Sequence, residues 1–302
     1  MDTNLNNWKD KLVKIYDYVC QKFEKNMYYD CQRYSNNNKP DFTDQEIITI
    51  YLFTMHHQGI FEIKKIHQYA KDHLIGWFPN LNSYQAFNNR INKLSVVMNR
   101  LTQILIYEFK PLDCSDEQSL VDSMPIILCS GKRQGKVATE ITDKGYCSTK
   151  GIYYYGVKLH ALSFYRKGKL PHPEQIVISK ASENDLTIFK ENWSQLTNRT
   201  FFGDKIYKNE AFFETTKSNY NSEMLTPVKY NRGVENVIKE FNKAADDIYS
   251  KAVSAIRQPI ESFFNWLIQK SNIQNASKVR STKGLNLHLF GRLAAAFISM
   301  IF

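Results

Sequence analysis

The sequence predicts a mixed α/β domain preceded by an all-α N-terminal region, and three observations predict it. At 302 residues the chain can bury a substantial core and is long enough for two domains. Up to about residue 110 the apolar positions recur at helical spacing, whereas beyond about 115 short apolar runs of strand length come first and helical patterns surround and follow them. The polar stretch Lys110-Pro111-Leu112-Asp113-Cys114-Ser115-Asp116 connects the two, so the expected division is a helical domain over 1–110 and an α/β domain over 115–302.

Residues 5 to 27 carry Leu5, Trp8, Leu12, Ile15, Tyr16, Val19 and Phe23, a helical stripe that the polar run Ser35 to Pro40 interrupts. Thr43-Asp44-Gln45-Glu46 has the form of a capping box ahead of the apolar run Ile47 to Phe53, so a second helix should begin at Thr43. Gly59 ends it, Ile63 to Leu74 reads as a third helix, Pro79 to Ser83 as a break, and Tyr84 to Phe109 as one longer helix. Short helices about a glycine turn are the material of a helix-turn-helix DNA reader, and of many small bundles that bind no DNA.

Leu120 to Leu128 is the first buried-strand run, and since Pro125 cannot donate to a ladder, this strand should end or bulge soon after Asp122. Tyr153 to Phe164 and Gln175 to Ser179 are further strands, Asp185 to Trp193 a helix, Thr200 to Phe202 and Met224 to Val228 two short strands, and helices run from Val234 onward.

Lys plus Arg number 40 against 30 Asp plus Glu, a net charge of +10. The excess is blocked: residues 129 to 169 hold nine Lys or Arg against two acids, and residues 270 to 292 hold five against none. A surface that tracks phosphates needs such blocks and plain solubility does not, so nucleic acid is the first expected partner and an anionic membrane surface the second. The five cysteines are odd in number and form no C-x-x-C pair, which favours reduced cytosolic thiols over a disulfide frame or a zinc site. Met1 to Leu5 lacks the basic-then-apolar order of a signal peptide, and Leu289 to Phe302, short for a membrane span, reads as a core helix. The expected location is the cytoplasm, at the nucleoid, with no membrane partner.

Three acids stand where solvation does not explain them easily. Asp122 interrupts an apolar strand, and Asp204 follows Thr200-Phe201-Phe202-Gly203 at the carboxyl end of another. In Arg257-Gln258-Pro259-Ile260-Glu261-Ser262-Phe263-Phe264, the proline suits a first helical turn, and Glu261 falls at the margin of the apolar stripe with Arg257 one turn back. Singly, Asp204 also reads as a turn residue and Glu261 as a solvated acid paired with Arg257.

The blocks Val121-Asp122-Ser123-Met124-Pro125-Ile126, Tyr153-Tyr154-Tyr155-Gly156-Val157-Lys158-Leu159-His160, Ser179-Lys180-Ala181-Ser182-Glu183-Asn184-Asp185, Phe202-Gly203-Asp204-Lys205-Ile206-Tyr207 and Arg257 to Phe264 occur in this order. Together they resemble bacterial insertion-sequence transposases with a DDE triad, most closely insertion-sequence family 982. The resemblance covers about residues 115 to 300. It implies a ribonuclease H-like mixed sheet flanked by helices and a catalytic triad of Asp122, Asp204 and Glu261. It further implies double-stranded DNA as partner, both terminal inverted repeats and target, and a homodimer or larger synaptic assembly. Related transposases also carry a Tyr three before the Arg and a Lys seven after the Glu; here Ser254 and Ile268 stand there, with Lys270 two positions further on.

Metal-assisted phosphodiester chemistry explains the residue types. Two divalent ions roughly 3.5 to 4 Å apart can stabilise both the attacking and the leaving oxygen, and hard ions such as Mg²⁺, with Mn²⁺ as substitute, take oxygen ligands. Without cations, two carboxylates about 4 Å apart repel by about 4 kcal/mol even at an effective dielectric of 20. The expected ligands are Asp122, bridging both ions, with Asp204 and Glu261 each completing one. Arg257, Lys205, Lys270 and Lys158 are candidate phosphate contacts, His160 a strand histidine near the site, and Tyr153, Tyr154 and Tyr155 either base-stacking or core residues. The expected activity is DNA transposition by cleavage and strand transfer. The alternatives are a ribonuclease H-like nuclease that does not join strands and a catalytically inactive DNA-binding relative.

Overall fold

The computed structural model describes residues 7–33, 40–132, 135–148, 150–230 and 236–302. Met1 to Leu5, the polar run Ser35 to Lys39, Arg133 of the basic block and Val234 lie outside the described residues. The chain begins with α1 (Asn7–Lys22), which runs on through a wider helical turn to Met27 and buries Leu12, Ile15 and Val19. The next helix, α2 (Asp44–Gln58), starts as its capping box requires: Thr43 Oγ1 accepts from the Glu46 amide and the Thr43 amide donates to Glu46 Oε2. It ends on Gly59 in the left-handed region at φ 62°, a conformation glycine adopts without a Cβ clash. After α3 (Ile63–Tyr69), the stretch expected as one helix from Tyr84 to Phe109 is two, α4 (Tyr84–Lys93) and α5 (Ser95–Glu108). The break falls at Leu94 (φ −82°, ψ 10°), where Leu94 and Ser95 are both buried. No proline or glycine marks it, so periodicity alone runs through.

The sheet comprises β1 (Gln118–Ser130), β2 (Asp143–Cys147), β3 (Ile152–Phe164), β4 (His172–Lys180), β5 (Thr200–Phe202) and β6 (Glu223–Leu225). Its order is β2-β3-β1-β5-β6, with β4 also on β3. The β1–β3, β2–β3 and β3–β4 pairs are antiparallel; β1–β5 and β5–β6 are parallel. The sheet is thus mixed, with helices α6 (Asp185–Asn192), α7 (Glu210–Tyr220) and α8 (Asn236–Arg257) in the same unit. β2 and α7 carry no periodicity that predicts them.

Contrary to expectation β1 does not stop near Asp122. It continues to Ser130, with Pro125 opposite Lys158 and an irregularity only between Ile127 and Cys129. The reason is that β5 pairs with β1 only as far as Leu120. Beyond that point β1 has β3 on one side alone, and an edge tolerates a residue without an N–H. One sheet face is filled by Val121, Leu162, Phe189, Trp193, Phe201, Tyr207 and Phe213. Trp193 is 1% exposed, and its indole donates to Gln175 Oε1 at 3.0 Å.

After α8 the chain enters α9 (Pro259–Ser271), α10 (Thr282–Asn286) and α11 (Arg292–Ile298). The compact units are Met1–Phe109 with Leu267–Phe302, and Lys110–Trp266. By its contacts the C-terminal segment groups with the N-terminal helices, whereas the expected division runs from 115 to 302. Its apolar run is core: Leu289, Leu293, Ala294 and Ile298 are 0% exposed, and α11 packs on α2 and α5. Thr102 donates to Phe290 O at 3.0 Å, and a Cβ on Gly291 would lie 2.7 Å from the Tyr51 hydroxyl, so glycine is what lets this turn close onto α2. Among the described residues no helix is long and apolar enough to cross a membrane.

Candidate active site

Two parallel strands bring the first two acids together. Leu120 of β1 is opposite Phe202 of β5, the last pair of that ladder. Asp122 and Asp204 each stand two residues further on, so both lie past the end of this pairing, Asp204 beyond the carboxyl end of β5 and Asp122 within β1 where it has lost β5 as a neighbour, on strands that run about 4.8 Å apart. That end of an open α/β sheet is where its ligands bind. Glycine is required just before Asp204: a Cβ on Gly203 would come within 2.7 Å of the Tyr207 ring and 3.0 Å of Met224 Sδ. Asp204 then caps the turn Lys205–Tyr207, its Oδ1 accepting from the Lys205 amide at 2.7 Å.

Arg257, the last residue of α8, ties the third acid to the first. Its Nη1 donates to Asp122 Oδ2 at 2.9 Å and its Nη2 to Glu261 Oε1 at 2.6 Å. Pro259 explains how: α8 and α9 meet at Gln258, with the Glu261 amide donating to Gln258 O, so Arg257 and Glu261 stay one turn apart across the junction. Glu261 remains half exposed, at 52%, while the Asp122 side chain is 21% exposed.

Burial pushes the Asp122 carboxyl up to about 7; the Asp185 and Asp204 charges push the same way, and the Ser123 amide and Arg257 oppose them. Asp185 is thus a fourth acid of the site. It is 8% exposed and held by Lys158 Nζ at 3.0 Å and by the Ser123 hydroxyl, which donates to its Oδ2 at 3.1 Å. His160 Nδ1 lies 3.7 Å from the same carboxylate. Burial lowers the His160 pKa to about 4, so the imidazole is neutral, with Nε2 on the Ser179 hydroxyl at 2.7 Å. Tyr207 is fully buried, its hydroxyl has no partner among the described residues, and burial, then Asp185, Asp122 and Asp204, hold it protonated.

The other expected residues differ in their surroundings. Lys158 is engaged by Asp185 at 3.0 Å and by Glu183 O at 2.7 Å. Lys205 is exposed beside Asp204. Lys270 belongs to the helical unit, whereas Asp122, Asp204, Arg257 and Glu261 belong to the sheet unit. Of the three tyrosines Tyr154 is core at 1% exposure, and Tyr153 is exposed, its ring 4.9 Å from that of Tyr146. Asp185, Ser123 and Tyr207 escape sequence reasoning because Asn184-Asp185 reads as a helix start, which it also is: Asn184 caps α6.

The donor chemistry of Asp122, Asp204 and Glu261 suits a hard divalent cation, and the Asp185 and Asp204 charges add to burial in raising the Asp122 pKa. In this conformation, among the described residues, no three His, Cys, Asp or Glu side chains converge to hold an ion. Arg257 instead spans two of the acids.

A family profile described as "Transposase DDE domain" matches residues 114–298, more than half of the chain. Neither the curated proteins nor the solved structures contain a match. With a mixed α/β sheet, one acid within β1, a second just past the end of the neighbouring β5 and a third tied to the first by Arg257 inside the matched span, the chain belongs to the transposase DDE domain family.

Proposed function

We propose that this chain is a DNA transposase that binds the terminal inverted repeats of its element and catalyses metal-dependent cleavage and strand transfer, with Asp122, Asp204 and Glu261 as its triad. Insertion-sequence family 982 is the group it resembles by motif, and the ribonuclease H-like fold is the reading the strand order β2-β3-β1-β5-β6 supports. The observation that carries the proposal is the β1–β5 register, which sets Asp122 beside Asp204, combined with the two-sided Arg257 contact to Asp122 and Glu261. Asp122, Asp204 and Glu261 would hold divalent ions, Mg²⁺ or Mn²⁺, which supply Lewis-acid stabilisation of the attacking and leaving phosphodiester oxygens. Arg257 neutralises two of these acids while the cations are absent, and its guanidinium, once displaced, is placed to take a phosphate oxygen. Lys205, exposed beside Asp204, is a second phosphate contact.

The test is to incubate the purified chain with pre-nicked terminal DNA and a target plasmid in Mg²⁺. Joined product is expected, and Asp204→Ala and Glu261→Gln should abolish it with the fold intact by circular dichroism. Cleavage without joining would replace the transposase with a nuclease. Activity unchanged in both variants would remove the triad.

A further inference from the structure

The helical unit contains a groove of about 930 Å³ that the triad does not use. One wall is the turn after α2 and the start of α3, with Lys64; a second is α4, with Lys93; the third is the C-terminal segment 272–292, with Lys278 and Lys283. These four lysines are exposed, and among the described residues none of them is in an ion pair. Among the described residues the one acid lining the groove, Glu62, is paired with Lys65 at 3.3 Å. Arg292 secures the third wall from beneath: Nη1 donates at 2.7 Å to both Ser271 O and Asn272 O, and Nη2 reaches Phe61 O at 3.4 Å. The groove therefore joins pieces far apart in sequence, Lys93 and Asn272 being 179 positions from each other, all within one compact unit.

We propose that this groove is a nucleic-acid site in which the backbone of duplex DNA is held between α4 and the C-terminal segment. Four uncompensated cations on facing walls cost the folded state repulsion, which a polyanion relieves. Concavity and lining amides, Asn89, Asn92 and Asn275 among them, suit a strand that offers phosphate and base-edge hydrogen-bond groups, and not a flat lipid surface that takes inserted apolar side chains. The choice of DNA among polyanions rests on the proposed transposase reading; the assignment of the groove as a phosphate site does not. A consequence is that the last 36 residues, 267–302, are part of the DNA-binding unit.

Binding of a fluorescent duplex from the DNA flanking the chain's own reading frame is measured by anisotropy in EDTA, where no cleavage occurs, at several salt concentrations. The full-length chain is compared with Lys278→Ala/Lys283→Ala, with Lys64→Ala/Lys93→Ala and with the charge-matched Lys14→Ala/Lys25→Ala outside the groove. Each groove pair should weaken binding roughly tenfold and flatten the log–log salt slope by nearly 2, about 0.9 for each phosphate no longer neutralised. Lys278→Arg/Lys283→Arg should restore both, and thermal melts should show all variants folded, since the side chains are exposed. The proposal is overturned if the C-terminal pair leaves affinity and slope unchanged, if the outside pair weakens binding as much, or if an RNA duplex of the same sequence binds more tightly. None of these outcomes bears on cleavage and joining, which the Mg²⁺ assay reads separately.

Discussion

Asp122→Asn should make the metal-free protein more stable at neutral and alkaline pH. The carboxyl titrates near 7 in the folded chain against an ordinary 3.8, a rise of about 3 units that corresponds to about 4 kcal/mol at about 1.4 kcal/mol per unit. With the side chain 21% exposed, a realistic range is roughly 2 to 4 kcal/mol. The sign follows from proton affinity. The folded state holds this proton more tightly than the unfolded state, so stability is full below about 3.8 and falls as pH rises towards 7. Asparagine removes the buried charge and keeps one oxygen, which serves the Ser123 amide that now donates to Oδ1 at 2.8 Å, while Arg257 Nη1, which donates to Oδ2 at 2.9 Å, loses its acceptor there. Urea melts in EDTA at pH 8, 6 and 4 should show the variant ahead at pH 8, by roughly 4 to 12 °C in a parallel thermal melt, with the gap closing at pH 4. A variant equal to or less stable than the parent at pH 8 would refute the reasoning, because pairing with Arg257 would then outweigh burial.

Arg257→Met should raise the Asp122 pKa further still, since it removes an opposing cation; carbon-detected NMR titration of the carboxyl checks this, and an unchanged value would mean the contact is not formed. His160 should stay neutral from pH 8 down to about 5, with stability falling as pH drops from 6.5 towards 4 because only the unfolded state then takes up the proton; imidazole chemical shifts read it directly. Gly156→Ala should destabilise the chain by more than about 3 kcal/mol in denaturant melts, as its Cβ would fall 2.0 Å from Ile126 O in the β1–β3 ladder. A fragment ending at residue 110 should lack cooperative unfolding and bind hydrophobic dye, because α2 and α5 bury their apolar faces against α11.

What the sequence determined by itself is local. The capping box at Thr43, the stop at Gly59, the strand Thr200 to Phe202 and the proline turn at Pro259 stand where nearest-neighbour chemistry requires them. The family of the domain was equally legible, because five motif blocks in order constrain the chain as periodicity cannot, and the matched span 114–298 agrees with them. Tertiary structure decided whatever depends on a partner distant in the chain. Pro125 is tolerated because β5 stops at Leu120, a fact about another strand's length. Lys158 is paired because Asp185, 27 residues away in sequence, comes within 3.0 Å of its ammonium. The segment after residue 266 joins the N-terminal helices because its small and apolar residues, Gly291 and Ala294 to Ala296, let it lie against α2 and α5. Spacing along a chain encodes which face a residue presents, but what that face meets is set by packing across the fold, and burial at that contact is what gives Asp122 its charge state.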